Sequence, residues 1–166
     1  MYMKTPFIVG KHNIKWVGST FSEHFGAMSV TPKRELVVEC RTLGKPMLDK
    51  EILSEFRPQE VDLGFLLDCL DNSNSMLKNG LGNIFYIRDQ SNTLWVVFAL
   101  WYSDNGGWRV LADSVDYPHR WDGGFQVLSR GFSDTVPSDS DPLKSLTLRV
   151  EKLEKLFNPT LLTQEK

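Results

Sequence analysis

Cysteine and histidine are scarce in this chain of 166 residues, which holds two of the first and three of the second. Neither Cys40 nor Cys69 has a cysteine or histidine two to four residues away, and His12, His24 and His119 are scattered. The spacing of a zinc site is missing, so no metal is implied. A Gly-x-Ser-x-Gly elbow is also lacking, and Gly80-Leu-Gly82 has neither the third glycine nor the flanking strand and helix of a dinucleotide loop. With no Walker lysine pattern either, the sequence implies no cofactor.

Charge of one sign is equally sparse. The formal net charge is −2, which provides no electrostatic footprint for a nucleic acid or an anionic membrane. The longest apolar run, Leu94 to Tyr102, is far too short to cross a bilayer as a helix. The first twenty residues carry Lys4, Lys11 and Lys15 without the apolar segment of a signal peptide. These absences point to a cytoplasmic protein with no membrane and no nucleic acid among its partners. Cys40 and Cys69 sit among apolar residues and read as buried free thiols of a reducing compartment. No internal repeat and no low-complexity block breaks the chain.

What is present is enough apolar residue for a core, 41% of the chain, and a length at which one domain buries roughly 70% of its unfolded surface. Near the start, Phe7-Ile-Val9 and Ile14-Lys-Trp-Val17 flank Gly10 to Asn13 as a hairpin would. Thr20-Phe-Ser-Glu23 has capping-box spacing ahead of a short turn ending at Gly26. Thr31-Pro32 then opens a helix to Leu43, with Leu36, Val37, Cys40 and Leu43 as its stripe, although Leu36-Val-Val38 also suits a strand. Asp49 caps a second helix ending before Pro58. A third, about Gln59 to Leu70, turns Val61, Phe65, Leu66, Cys69 and Leu70 inward and Asp62, Asp68 and Asp71 outward. Met76 and Leu77 add a turn.

The stretch from Gly82 to Ser114 carries the sheet. Ile84 to Arg88, Thr93 to Tyr102 and Trp108 to Ser114 are strands separated by Asp89-Gln-Ser-Asn92 and Asp104-Asn-Gly-Gly107. Asn105-Gly106 suits a two-residue type I′ turn, which sets Trp101 against Val110. Gln90-Ser91 as the other loop sets Tyr86 against Trp95. One face then gathers Phe85, Ile87, Leu94, Val96, Phe98, Leu100 and Leu111. The other gathers Ile84, Tyr86, Arg88, Trp95, Val97, Trp101, Trp108 and Val110. Gly124 to Arg130 supplies a fourth strand. The fold class is therefore α+β: an antiparallel sheet of four to six strands around a central strand at 93–102, packed with helices.

Residues 1–132 form this single domain, and 133–141 read as a polar linker. From 142 to 158 an amphipathic C-terminal helix places Leu143, Leu146, Val150, Leu153 and Phe157 on one seam. That seam docks on its own domain or pairs in a homo-oligomer.

Two places carry candidate chemistry. In Asp116-Tyr-Pro-His-Arg-Trp-Asp122, His119 can serve as an acid or base, Asp116 or Asp122 can orient or charge it, Arg120 can hold an anion, and Tyr117 and Trp121 can wall a pocket. As plain structure, the same loop is shaped by Pro118 and closed by Trp121. The tryptophan face, with Trp95, Trp101, Trp108, Tyr86 and Arg88, is either an aromatic binding platform or a core layer under Phe7, Trp16 and Phe21. The poverty of reactive motifs favours a non-enzymatic accessory or regulatory module that binds a protein partner or itself. The alternative is a small-molecule-binding protein or hydrolase using the Asp116 to Asp122 loop.

Overall fold

The computed structural model describes residues 11–30, 37–72 and 77–131. Phe7 to Val9, the 133–141 linker and the C-terminal helix at 142–158 lie outside them. In chain order the elements are β1 (Ile14–Val17), α1 (Ser19–Phe25), β2 (Val38–Thr42), β3 (Met47–Leu48) and α2 (Asp49–Glu55). They continue with α3 (Leu63–Asp71), β4 (Asn83–Arg88), β5 (Leu94–Tyr102), β6 (Gly107–Ser114), β7 (Arg120–Trp121) and β8 (Gln126–Arg130). The class is α+β. Six strands form one sheet in the order β1-β6-β5-β4-β8-β2, and β3 and β7 make a separate two-stranded ribbon.

The sheet is mixed, not antiparallel throughout. β1 runs parallel to β6 and β4 parallel to β8, while β4–β5, β5–β6 and β2–β8 are antiparallel. The β4–β8 pair is parallel because the chain leaving β6 passes β5 and β4 in the strand order before entering β8, instead of turning directly into a neighbour. Ile14–Val17 thus belongs to the main sheet at β6.

The helix expected over Thr31–Leu43 is corrected by β2. Residues 31–36 are outside the description, but Val38–Thr42 is a strand whose five residues pair with Arg130 to Gln126. The Leu36, Val37, Cys40, Leu43 spacing resembled a helical stripe. Pairing with β8 overrode it, as tertiary context does to a weak local preference. The helix starts also shift. α1 begins at Ser19 with Gly18 as its cap and no side-chain cap bond, so the Thr20–Glu23 box is not formed. α2 begins at Asp49 with Leu48 in the cap position, whose amide donates to Glu51 at 2.7 Å. Arg57 with φ of 46° and Pro58 terminate it. α3 starts at Leu63, capped by the Asp62 carboxylate on the Phe65 amide at 2.8 Å. Asp68, expected on the solvated side, is buried.

Both hairpin registers differ from the sequence expectation, with unequal effects. Between β5 and β6, Tyr102 pairs with Gly107 and Trp101 with Trp108, so the loop is Ser103–Gly106 and only Gly106 takes positive φ. That shift of two residues leaves every side chain on its expected face. Between β4 and β5, Asn92 adopts φ of 63° and the Asp89 amide donates to the Thr93 carbonyl, a three-residue loop with a left-handed third residue. Tyr86 now pairs with Val96, and Ile87 with Trp95. This shift of one residue moves all of β4 to the opposite face.

The result is a central β5 covered on both sides. Phe85, Ile87, Val97, Ala99, Trp108 and Val110 pack beneath α1 and α3, against Phe21, Phe25, Phe65 and Leu66. Ile84, Tyr86, Val96 and Val127 pack with Leu43, Met47, Ile52 and Trp121 on the α2 side. Among the described residues no helix is long and apolar enough to cross a membrane.

Candidate functional site

The three sheet tryptophans do share a face, yet most of that face is core. Trp108 is fully buried, and its ring meets the Trp101 ring edge-on with centroids 5.2 Å apart. Trp95 and Trp101 are half-buried at the margin of the cluster under α1 and α3. The Lys78 ammonium sits 4.3 Å from the Trp101 ring centroid. Tyr86 and Arg88, expected beside these tryptophans, are carried to the other face by the β4 register. Arg88 makes two 2.7 Å bonds to Glu60 and a third to the Asn92 carbonyl, so its guanidinium fastens the hairpin.

Tyr86 lies instead at a buried carboxylate. Its hydroxyl donates to Asp49 Oδ1 at 2.8 Å, and the Trp121 indole N–H donates to the same oxygen at 3.0 Å. Burial pushes the Asp49 carboxyl above its ordinary value, with repulsion from Asp113 adding to it. The two hydrogen bonds and nearby His119 pull the other way. Burial likewise raises Asp113, opposed by His119. Tyr86 is driven upward by burial and by the Asp49 charge. Two carboxyls of weakened acidity beside a histidine resemble acid–base machinery. The surrounding loop, however, is fastened down rather than open.

His119 is exposed and stands edge-on to Trp121, with centroids 5.0 Å apart. Asp116 meets Lys50 at 3.2 Å and Arg120 meets Glu51 at 3.3 Å, both on α2. Asp122 is exposed at the following turn. Within the stretch expected to form a catalytic or anion-binding loop, Trp121 thus lies in the core, and Asp116 and Arg120 are ion-paired to the adjacent helix.

A second polar cluster has no counterpart in the sequence reading. Asp89, at the β4–β5 hairpin, accepts from the Ser91 amide at 2.9 Å, the Thr93 amide at 3.0 Å and the Trp95 indole at 2.9 Å. His24 Nδ1 lies 3.1 Å from Oδ2, the oxygen that also takes the indole, and the His24 ring covers Trp95 with centroids 4.0 Å apart. Burial works against the Asp89 charge, but these donors outweigh it and hold the carboxyl below its ordinary value. Residues 65 positions apart meet here, and only the fold brings them together. Because both Asp89 oxygens are occupied in bracing the turn, the cluster is a clasp between α1 and the hairpin.

The remaining candidate is the margin of the sheet at β2. In its ladder with β8, Val37 and Leu43 bond inward, the first to the Gly131 amide and the second to the Phe125 carbonyl. Antiparallel alternation therefore assigns the odd residues to β8 and turns the N–H and C=O of Val38, Cys40 and Thr42 outward. Among the described residues no strand lies beyond β2. Val37 and Val38 are 43% and 37% exposed, large values for valines beginning a strand. Beside them, Glu39, Arg41, Phe56, Arg57, Val127 and Ser129 line a cleft of about 160 Å³. Arg41 Nε donates to Glu39 at 2.9 Å, and its guanidinium lies 5.9 Å from the Phe56 ring centroid. The opposite margin differs. β1 has four residues and a register break between Ile14 and Trp16, features that blunt an edge.

No family model, curated protein or solved structure matches the chain.

Proposed function

We propose that this protein is a non-enzymatic interaction module, an accessory or regulatory protein that binds an extended protein segment by strand addition at β2. The observation that carries the reading is the row of outward backbone groups at Val38, Cys40 and Thr42, next to exposed Val37 and Val38. An added strand gains main-chain hydrogen bonds from such a row and specificity from the adjoining cleft. Uncovered, the same row is an association hazard that proteins ordinarily blunt. The hydrolase alternative draws less support, since Asp116, Arg120 and Trp121 are engaged with Lys50, Glu51 and Asp49.

A photo-reactive residue at Thr42 tests the reading in cells, with one at exposed Lys50 as reference. Strand addition requires a protein adduct at Thr42 that Cys40→Pro abolishes. That substitution removes an outward N–H without touching the inward bonds of Glu39 and Arg41. Adducts indifferent to Cys40→Pro in a chain that still folds, or none at Thr42, would defeat it.

A further inference from the structure

We infer that the occupant of the β2 edge is a second copy of this chain, paired antiparallel about a two-fold axis through Cys40, so that two six-stranded sheets continue into one. The inference rests on the reading of β2 as the interaction surface and names its partner. It comes from the order of residues along the strand. Glu39 and Arg41 flank Cys40 at equal offsets with opposite charge, and Val38 and Thr42 follow at the next offsets. Antiparallel pairing centred on Cys40 sets Glu39 against Arg41 of the second copy, Arg41 against its Glu39, and Val38 against its Thr42. An interface of this symmetry must be complementary to itself, and this one is.

The hydrogen-bond phase agrees. Val38, Cys40 and Thr42 hold the outward groups, so the Cys40–Cys40 and Val38–Thr42 positions become the bonded pairs of the new ladder. Glu39 and Arg41 fall at the non-bonded positions, where facing Cα atoms approach to about 4.5 Å and side chains interact most closely. Both charges lie on the cleft side of the sheet, and facing residues of an antiparallel pair share a face. The 2.9 Å Arg41–Glu39 pair of one chain thereby becomes half of a ring of four alternating charges at the cleft mouth. An edge built only to repel would carry like charges at 39 and 41, because a second copy brings each against the other. Here both directly facing charged pairs between copies are of opposite sign.

The cysteine content makes the arrangement measurable in the unaltered protein. Only Cys40 and Cys69 occur. Cys69 is buried, and burial together with Asp68 and Cys40 pushes its thiol up to about 12. Cys40 is half-buried at the proposed axis.

The experiment measures molar mass by light scattering over a concentration series and cross-links the native chain with a short bismaleimide. A dimer is expected, with a covalent product that Cys40→Ala abolishes and Cys69→Ala leaves. Glu39→Arg and Arg41→Glu alone each place like charges face to face and should weaken the dimer by at least ~10-fold. Mixing the two single variants restores complementary pairs and should regenerate a dimer, as should the double exchange in one chain. A monomeric native chain without Cys40 cross-link overturns the inference, as does a dimer unaffected by Glu39→Arg or a mixture that stays monomeric. If adducts at Thr42 nevertheless join a different protein and Cys40→Pro blocks them, only the second-copy assignment falls. If neither is seen, the interaction reading falls as well.

Discussion

Tyr86→Phe isolates a single hydrogen bond at the junction of three elements. The Tyr86 hydroxyl on β4 donates to Asp49 at the start of α2, and Trp121 of β7 donates to the same oxygen. All three residues are buried, so water cannot replace the lost donor without opening the core. A hydrogen bond to a charged group is worth about 1.5–3 kcal/mol, and a cost of about 2 kcal/mol is expected from Tyr86→Phe near neutral pH. The cost should also depend on pH. The Tyr86 bond pulls the Asp49 pKa down, against burial, so losing it raises that pKa further. A carboxyl raised above its unfolded value favours folding most below that value, and the advantage is lost as pH rises through the folded pKa. Tyr86→Phe therefore costs more at pH 7.5 than at pH 4, where Asp49 is closer to neutral in both proteins. Urea unfolding at the two pH values reads this directly. In an Asp49→Asn background, with no charge to stabilise, the cost should shrink and become independent of pH. Equal costs at both pH values, or an undiminished cost in the Asp49→Asn background, would refute the assignment of the Tyr86 bond to an ionisable partner.

Asp89 carries the opposite sign. Its carboxyl is held below the ordinary value by the Thr93, Trp95, Ser91 and His24 donors despite burial, so its stabilisation is present above the unfolded carboxylate pKa and fades as pH falls through the folded one. Asp89→Asn should flatten that acid limb in a pH series of melting temperatures, and a limb as steep as the native one would contradict it. At Gly107 an added Cβ would lie 2.1 Å from the Lys15 side chain and 2.8 Å from the Asn13 carbonyl oxygen. The lysine can swing away, but the carbonyl is fixed by its 2.8 Å bond from the Trp108 amide. Gly107→Ala should cost about 1–3 kcal/mol and loosen β1 from β6, visible as faster amide exchange at Trp108; unchanged stability would show that β1 yields freely.

The class of fold and the central strand were legible because they rest on composition and on a nine-residue apolar run that has to be covered on both faces. Strand pairing was not, and the two hairpins explain why. At Ser103–Gly106 the loop is longer than Asn105-Gly106 implied, but the error was even and harmless. At Asp89–Thr93 the left-handed Asn92 adds one residue to the loop, and that odd shift separated Tyr86 from the tryptophans and brought it to Asp49. The outcome turns on one backbone angle, which residue type alone does not fix. β2 carries a misleading local signal for a related reason. Four apolar positions matched a helical stripe, while the partner that makes it a strand lies far along the chain, as Val38 pairs with Arg130. The candidate site shared this fate: a sheet margin exists only once strand order is known, and no local pattern announces it.

Amide exchange along β2 provides a residue-by-residue check on that margin. The Glu39 and Arg41 amides point to β8 and should be protected, whereas those of Val38, Cys40 and Thr42 point away and should exchange rapidly in the dilute protein. Such a period-two alternation is the signature of an edge strand, since a strand paired on both sides protects every amide and a helix shows no period of two. Raising the protein concentration adds a second requirement. If another copy pairs through Cys40, the three outward amides should slow together while Glu39 and Arg41 change little. Slowing at β1 instead would move the contact to the opposite margin, where a register break already disrupts the ladder. Uniform protection along β2 in the dilute chain would mean that the edge is already filled within one molecule, and neither strand addition nor pairing of copies could then occur there.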